Sequence, residues 1–587
     1  MIAIIESAAQ PPTTGPHLSR PTMFSGMLQS IIRLVATVVA FVLEKVVHGL
    51  AWVQRKRSSG PNPFLEGNFG PVPEVGSPIV LRPSSGSLPP SLHGSMFARN
   101  GPNPKHEPLS HYHWFDGDGM VHSVRVVDGE TVVYSNHHVK TPRLAAEDAA
   151  GKALVVKIGD LQGVGGLLVL ALDKARALAG IGIRRGTLRA GTGNTALVHH
   201  AQALYALVEN ALPFALGAVA GSQCGNTDAA HIQGPVSLGS RGYHDYDGSL
   251  GHPFTAHPKV DAATGEMFFF GYSLGGPPPA IHFARVDPQG NKAPSVGIDI
   301  PRRVMMHDMA LTDKHAIILD LPLVFKPKAM VKTGGVPFVF SPDNGARLGL
   351  LPRNAGPLES PVWYPIEPCF IFHTAAAWEE DQGNVVVMIA IRYPSMDLNS
   401  LADGGADNPA LTDGILYEWR INRQTGQVAE RPLLEGIAGE FCLTSPAFVG
   451  SPTPPRYVYF ARVASDESMA AISGHDNQSV SQAVFDGIVK FDLRQDTVAG
   501  IIDLPRGRTG GEAVFVPSGE SDAEDDGHLL VFEYDAAQDT SSFVVYSASS
   551  MSSSPVAHVP LGVRVPYGFH GLHIPQPDLV ALPEATL

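Results

Sequence analysis

The sequence predicts an all-β fold in which antiparallel strand pairs follow one another and close into a β-propeller. Short runs of β-branched and aromatic residues recur along most of the 587 residues without a clear domain break. The 61 glycines and 50 prolines favour tight turns between short strands. Helical stretches are few, and the spacing is too irregular for a short-motif repeat. A large propeller closed on itself is therefore the interpretation.

Individual hairpins can be located from their turns. Residues 121–136, VHSVRVVDGETVVYSN, carry an Asp-Gly turn between two β-rich runs, which is a strong hairpin signal. Residues 254–273 and 416–433 each contain a strand, a turn with Thr-Gly, and another strand. These segments predict the repeating antiparallel unit of the domain.

Two segments precede this domain. Residues 1–22 are rich in Pro, Thr, Ser and Ala, with one acidic residue and one arginine, and are compatible with a transit segment. Residues 23–57 predict an amphipathic helix, whose uncharged run from Leu34 to Leu43 is shorter than the roughly 20 residues that span a bilayer. We expect this helix either to lie in a membrane interface or to pack on the protein's own surface. The main domain is assigned to residues 58–587.

An apolar insertion, residues 161–183, interrupts the strand pattern. It is predicted to be helical from Leu167 to Ala179. Because it lies between strand regions, it is expected either to cap the core or to form part of a nonpolar mouth.

Charge and cysteine content exclude several classes of protein. The net charge is −14, from 42 basic and 56 acidic residues, and no basic patch with interleaved aromatic residues occurs, so nucleic acid is not an expected partner. Cys224, Cys369 and Cys442 are far apart and form no CxxC pair. A disulfide scaffold and a cysteine-ligated metal site are therefore not expected.

Four of the 24 histidines lie in segments that resemble buried strand ends: His257, His307, His373 and His570. No local metal-binding spacing links them. In a propeller, however, inner strands of different blades converge on one axis, where distant residues can meet at a single ion. Around one of the four, VMMHDMALT (residues 304–312) predicts a core strand with Met305, His307, Met309 and Leu311 on one face.

The chain resembles the carotenoid cleavage oxygenases, specifically their plant members, from about residue 64 to the C-terminus. The resemblance rests on motifs in matching order: NFGPVPEV, GSMFARNGPNP, WFDGDGMVHSV, FTAHPKVDAATGE, MMHDMALT, FHTAAAWEE, GGEAVFVP, EDDGHLLVFEYD and VPYGFHG. It implies a seven-bladed propeller with one non-haem Fe(II) on its axis under a helical dome. It also implies that His257, His307, His373 and His570 hold the iron.

The resemblance assigns further residues around that site. It pairs three glutamates with three of the histidines: Glu209 with His307, Glu440 with His373, and Glu512 with His570. Such outer carboxylates hold the second ring nitrogen of a ligating histidine. Phe372 and Phe569 match aromatic positions of the family's substrate tunnel, and ordinary core packing is the alternative for both.

The chain also departs from the plant pattern next to two of these residues. After His373, a usually larger and more polar segment is Thr374, Ala375 and Ala376. After Glu440, the familiar Phe-Pro-Arg is Phe441, Cys442 and Leu443. In the plant pattern the first of these segments contains a tryptophan and an asparagine. The loss of that tryptophan beside a ligand is expected to alter the width of the tunnel, so the substrate is less firmly implied than the metal.

The expected activity is Fe(II)-dependent cleavage of a C=C bond in a carotenoid or apocarotenoid by dioxygen, giving two carbonyl products. Within that class, the substrate is a nine-cis-epoxycarotenoid, a shorter apocarotenoid as in zaxinone-synthase-like enzymes, or a stilbene. The rivals are a non-catalytic carotenoid-binding protein and an unrelated propeller hydrolase. Peripheral association with a membrane is expected, in the plastid or alternatively in the cytosol.

Overall fold

The computed structural model describes residues 23–57, 62–181, 188–223, 227–333, 335–403, 413–465, 468, 484–519 and 521–585. Within these residues, seven antiparallel sheets of four or more strands form a seven-bladed β-propeller, as predicted. The possible transit segment, residues 1–22, lies outside the described residues.

The first three blades are given with their strands in spatial order. Blade 1 consists of Gly571–Ile574, Met96–Pro102, Gly119–Val126, Val132–His138 and Ile79–Leu81. Blade 2 consists of Ala196–His200, Ala203–Leu207, Phe214–Ala220 and Pro235–Tyr243. Blade 3 consists of Lys259–Val260, Met267–Tyr272, Ile281–Val286 and Val296–Ile298. The hairpins predicted in residues 121–136 and 254–273 are confirmed.

The remaining four blades follow the same plan. Blade 4 consists of Ala310–Leu311, His315–Asp320, Ala346–Pro352 and Val362–Ile366. Blade 5 consists of Thr374–Glu380, Val385–Arg392, Ile415–Asn422 and Val428–Pro432. Blade 6 consists of Gly439–Leu443, Tyr457–Val463, Phe485–Asp492 and Thr497–Asp503. Blade 7 consists of Arg508–Thr509 and Val514–Pro517, which both pair with Gly527–Asp535, followed by Thr540–Ser547, Ala557–Pro560 and Ser85–Gly86.

The ring is closed by strands from both ends of the domain. Near the C-terminus, Gly571–Ile574 pairs with Met96–Pro102 inside blade 1. Near the N-terminus, Ser85–Gly86 pairs with Ala557–Pro560 at the outer edge of blade 7. Because each closing strand adds to a sheet built from the other end of the chain, the first and last blades cannot separate without breaking a sheet.

Apolar side chains fill the spaces between blades. One cluster joins Phe268 and Phe270 of blade 3 to Ala316 and Ile318 of blade 4. These side chains alternate along their strands, so one face of each strand packs against the neighbouring blade. Burial of one such phenylalanine contributes about 1.5–3 kcal/mol.

Helices lie at the cavity end of the ring. They are α1 (Met23–Arg57), α2 (Pro142–Ala150), α3 (Gly163–Ala179) and the shorter segments Pro327–Thr333 and Ser400–Asp403. Two more short helices, Thr227–Ala230 and Gln576–Ala581, lie elsewhere along the chain. The predicted helix in the apolar insertion is thus confirmed and begins four residues earlier. It ends at Ala179 and is capped by Gly180, whose φ of 73° is a left-handed conformation that favours glycine.

The long N-terminal helix packs on α3 by one stripe only. Ala40 and Val47 of α1 are buried in a cluster with Val169 and Leu172 of α3. Other apolar residues of α1 are exposed: Met27, Ile31, Ile32, Leu34, Val35, Val38, Val39, Phe41, Val42, Val46 and Leu50. Among the described helices, none is both long enough and apolar enough to cross a bilayer.

One local expectation was wrong. The strand of blade 4 begins only at Ala310, so residues 305–309 are irregular and do not alternate between two faces. Met305 packs in a different apolar cluster from Met309 and Leu311. His307 therefore lies in a loop that enters the blade, where its direction is set by tertiary contacts.

Candidate metal centre and substrate cavity

The four predicted histidines converge although their separations along the chain are long. Each lies just before the first strand of a blade: blade 3 for His257, blade 4 for His307, blade 5 for His373 and the closing strand of blade 1 for His570. One ring nitrogen of each lies within 4.8 Å of those of the other three. Nε2 of His307 is 3.0 Å from Nε2 of His257 and 3.3 Å from Nε2 of His373.

Three glutamates accept hydrogen bonds from the opposite sides of three of these rings. Glu209 accepts from Nδ1 of His307, and Glu440 accepts from Nδ1 of His373. Glu512 accepts from Nδ1 of His570 at 2.8 Å. The structure thus brings together all three pairs that the resemblance implies.

Each glutamate is itself held by a second donor. The Tyr272 hydroxyl donates to Glu209 at 2.7 Å, and the backbone N–H of Phe441 donates to Glu440 at 2.5 Å. The backbone N–H of Gly571 donates to Glu512 at 2.6 Å. Sequence reasoning missed Tyr272, because it lies in the adjacent blade and no spacing links it to Glu209.

This arrangement fits a divalent cation. An Nδ1–H that donates to a carboxylate leaves the Nε2 lone pair of a neutral imidazole, and these lone pairs face one another. Facing lone pairs repel unless a proton or a cation lies between them. A set of four imidazoles suits iron, copper, nickel or zinc, and four ligands leave two positions of an octahedron open.

Burial favours the neutral, metal-binding form of two of the rings. Burial, with repulsion from the neighbouring imidazoles, lowers the pKa of His257 and of His373 well below the usual range. Burial acts in the same direction on His307, but the charge and hydrogen bond of Glu209, together with the charges of Asp308 and Glu440, raise the pKa of that ring. Burial also raises the pKa of Glu440 to about 7.

Three of the four histidines, His307, His373 and His570, line one wall of a cavity of about 2370 Å³. Phe372 and Phe569, the two predicted tunnel residues, both line it. So do Phe115 and Phe441, which sequence reasoning did not assign to the tunnel. The ring centroid of Phe372 is 5.1 Å from that of His307. The space beside the histidines is therefore walled by aromatic side chains.

The same cavity extends beneath the helices. Leu161 precedes α3 and lines the cavity, together with Leu167 and Leu170 of α3 and Met330. Leu167 is also 42% exposed, so the apolar lining continues to the outer surface at α3. The apolar insertion thus lines the cavity and is partly exposed, an arrangement that suits the nonpolar mouth, one of its two predicted roles.

Phe441 has an unusual backbone for a residue of its size. Its φ is 56°, within a bulge of the first strand of blade 6. The bulge directs its ring toward the histidine cluster, with centroids 5.4 Å from His373 and 5.2 Å from His570. A strained conformation of this kind persists only where surrounding contacts fix it.

Comparison with known proteins gives a family over most of the chain. The family model described as RPE65, retinal pigment epithelial membrane protein, matches residues 69–575. The carotenoid 9,10(9′,10′)-cleavage dioxygenase 1 of Arabidopsis thaliana is 38% identical over 89% of this chain and 91% of its own length. The 9-cis-epoxycarotenoid dioxygenase NCED1 of Oryza sativa is 34% identical over 88% of this chain and 76% of its own length.

Solved structures of similar fold include a lignostilbene dioxygenase of Pseudomonas brassicacearum and a cobalt-substituted apocarotenoid oxygenase of Synechocystis. The first has a TM-score of 0.70 at 23% identity, covering 88% of this chain and all of that structure. The second has a TM-score of 0.65 at 25% identity, covering 85% of this chain and 98% of that structure. The resemblance deduced from the motifs is thus confirmed: the chain belongs to the carotenoid cleavage dioxygenase family and is an oxygenase.

Proposed function

We propose that this protein is a non-haem Fe(II)-dependent dioxygenase that cleaves one C=C bond of a carotenoid or apocarotenoid into two carbonyl products. The observation that carries the proposal is the convergence of His257, His307, His373 and His570 at one point, where the last three line an apolar cavity. We further propose that these four hold the iron, and that Glu209, Glu440 and Glu512 fix three of them.

When bound, iron would activate dioxygen beside the double bond. The chain's own residues do the rest. The glutamates accept from Nδ1 of three imidazoles, which turns Nε2 of each toward the proposed iron and fixes the ring planes. Phe372, Phe441 and Phe569 exclude water and hold an extended polyene near the metal, so that the bond to be cut is set by position. No proton transfer by a protein base is required.

The double bond that is cleaved is inferred from the names of the chain's relatives. Those named carotenoid 9,10(9′,10′)-cleavage dioxygenase are 37–38% identical to this chain, whereas those named 9-cis-epoxycarotenoid dioxygenase are 32–34% identical. We therefore place 9,10(9′,10′) cleavage of a carotenoid or apocarotenoid first. Cleavage of a nine-cis-epoxycarotenoid, as in abscisic acid synthesis, is the alternative.

Peripheral membrane association is part of the proposal. The helix α1, which carries the exposed apolar residues, packs on α3, whose Leu167 is both exposed and part of the cavity lining. A substrate dissolved in a bilayer can then pass into the cavity without crossing water. We place the enzyme on a plastid membrane, with the cytosol as the alternative. This location is tested by the import of a fusion protein that carries residues 1–57 into isolated chloroplasts.

The test of the activity is a cleavage assay with the Fe(II)-loaded protein in mild detergent under isotopically labelled dioxygen. A full-length carotenoid, a nine-cis-epoxycarotenoid and an apocarotenal are offered in parallel, and products are identified by mass spectrometry. Two carbonyl fragments that both carry label support the dioxygenase, and their masses identify the bond. Bound but uncleaved substrate in every case, with His307→Ala behaving identically, would favour a carotenoid-binding protein.

A further inference from the structure

A buried carboxylate, distinct from the three histidine-bound glutamates, joins the three chain segments that carry His257, His307 and His373. Asp308 follows His307 and is 1% exposed. Its Oδ1 lies 2.8 Å and its Oδ2 3.0 Å from Nζ of Lys259, two residues after His257. Its Oδ2 also accepts from the backbone N–H and the hydroxyl of Thr374, both at 2.8 Å, and Thr374 follows His373.

Both oxygens of the Asp308 carboxylate accept hydrogen bonds from more than one donor. The backbone N–H of Met309 donates to Oδ1 at 2.7 Å, in addition to the donors from Lys259 and Thr374. A buried carboxylate is costly unless paired and hydrogen-bonded, and this one has partners on three blades: 3, 4 and 5. Its partners can satisfy it only when the first strands of these blades keep their mutual positions.

His257 differs from the other histidines in how it is held. Glu209, Glu440 and Glu512 accept from His307, His373 and His570, and none of them is paired with His257. The backbone N–H of His257 donates to the Thr255 hydroxyl at 3.0 Å, which orients the main chain but not the ring. The strand Lys259–Val260 that follows His257 is fastened to Asp308 by its own lysine.

The hydroxyl of Thr374 is a part of this network that belongs to a segment particular to this chain. It stands in the segment after His373 that departs from the plant pattern. Its hydroxyl donates to Asp308 and lies 3.0 Å from the carbonyl oxygen of Met309. A residue without a hydroxyl would keep only the backbone N–H bond at this position.

We propose that Asp308, Lys259 and Thr374 form a positioning unit that sets the mutual distances of His257, His307 and His373 and thereby the affinity and geometry of the metal site. The inference rests on the proposed metal site. The unit acts on the metal through the backbone of the three histidines. Each of the other three histidine rings is held by a glutamate, whereas His257 is positioned through the contact of Asp308 with Lys259.

The experiment uses the metal-free full-length protein and Co²⁺ as a spectroscopic probe. The dissociation constant is measured by competition with a chelator, and the visible absorption of the bound Co²⁺ reports the arrangement of its ligands. We expect Asp308→Asn and Lys259→Met to weaken Co²⁺ binding by about 10- to 100-fold and to alter the absorption bands. Thr374→Val has a smaller effect in the same direction, and Lys259→Arg, which keeps the ion pair, restores both properties.

Glu379→Gln is the matched control. The side chain of Glu379 is also only 3% exposed and lies in the strand Thr374–Glu380, where it accepts from Nδ1 of His315 and from the Thr312 hydroxyl, both at 2.7 Å. Its substitution is expected to lower the unfolding temperature while leaving the Co²⁺ affinity and spectrum unchanged.

The outcomes separate this inference from the proposed function. Wild-type affinity and spectrum in Lys259→Met and Thr374→Val would overturn the positioning unit, even if Asp308→Asn fails to fold. The positioning unit would also be overturned if Glu379→Gln changed the spectrum as much as Lys259→Met and Thr374→Val do. A wild-type protein that binds no Co²⁺, or binds it equally after His307→Ala, would instead overturn the proposed metal site.

Discussion

Glu512 connects the ring of His570 to the main chain of the strand that closes the propeller. One carboxylate oxygen accepts from Nδ1 of His570 at 2.8 Å, and the other accepts from the backbone N–H of Gly571 at 2.6 Å. Because Gly571–Ile574 pairs with Met96–Pro102, the position of this ring depends on closure of the ring of blades. The geometry of the proposed metal site and the closure of the fold are therefore coupled at this residue.

Replacement of Glu512 by glutamine should weaken metal binding and cleavage together. The amide keeps the shape but loses the negative charge that holds the Nδ1 proton, so we expect about 10- to 100-fold lower metal affinity. Metal content after dialysis and initial cleavage rates measure the effect. Glu533→Gln is the control in the same blade, because Glu533 is buried and pairs with Tyr546 and Arg508 instead. Equal metal loss in both variants would contradict the role of Glu512.

Removal of the metal should lower the unfolding temperature. Metal that binds only the folded state at 100 times its dissociation constant adds about 2.7 kcal/mol. Calorimetry before and after chelation measures this increment in the wild type and in His307→Ala. We expect the increment to vanish in the variant. A variant that keeps the full increment would mean that His307 does not hold the metal.

Truncation of Phe372 should change the products more than the fold. Its ring lines the cavity beside His307, so Phe372→Ala widens the space in which the polyene lies and is expected to shift the cleaved bond or the ratio of products. Phe370→Ala is the matched control: its ring centroid is 4.8 Å from that of Phe372, and it is fully buried outside the cavity lining.

Phe370→Ala should lower the free energy of unfolding by about 3–5 kcal/mol and should give no new product. Product analysis by mass spectrometry and urea unfolding distinguish the two variants. An unchanged product profile in Phe372→Ala would assign that residue to ordinary packing.

Charges placed on the exposed face of α1 should abolish membrane binding. Val38 and Phe41 are 56% and 63% exposed, so Val38→Glu with Phe41→Glu leaves the buried stripe of α1 intact. Co-sedimentation with lipid vesicles measures the binding. Leu358→Glu is the control, since Leu358 is fully exposed on another part of the surface. Loss of binding in the control, or retention in the double variant, would contradict docking through α1.

A buried carboxyl beneath the helices should make stability fall as pH rises. Burial and the neighbouring Asp116 raise the pKa of Asp160 from 3.8 to about 7. Between those values the folded state holds the proton more tightly than the unfolded state. The resulting stabilisation is complete at acidic pH, below the unfolded pKa, and is lost as pH rises through about 7.

Asp160→Asn should therefore remove the part of the pH dependence of stability that comes from this carboxyl. The unfolding temperature measured from about pH 5 to about pH 8 should decline less steeply in the variant than in the wild type. Asp287→Asn serves as the comparison, because this surface carboxylate has a pKa lowered by its hydrogen bonds with Asn291 and stays ionised over the range. Parallel curves for wild type and Asp160→Asn would contradict a raised pKa.

Much of the fold was predictable from local chemistry. The Asp-Gly turn at residues 128–129 joins the antiparallel strands Gly119–Val126 and Val132–His138, as its sequence requires. The helix in the apolar insertion was predicted from composition and length. The irregular segment before Ala310 was not, because an apolar run that enters a blade from a loop has no period of two to preserve.

The sequence by itself determined which residue types are available for the site and in which order they occur. It did not determine that His257, His307, His373 and His570 meet, since they are 50, 66 and 197 residues apart and only closure of seven blades brings them together. It gave no sign that Asp308 contacts Lys259 and Thr374, because such contacts depend on how neighbouring blades pack. Local patterns fix the elements, whereas long-range packing of those elements decides which side chains share a site.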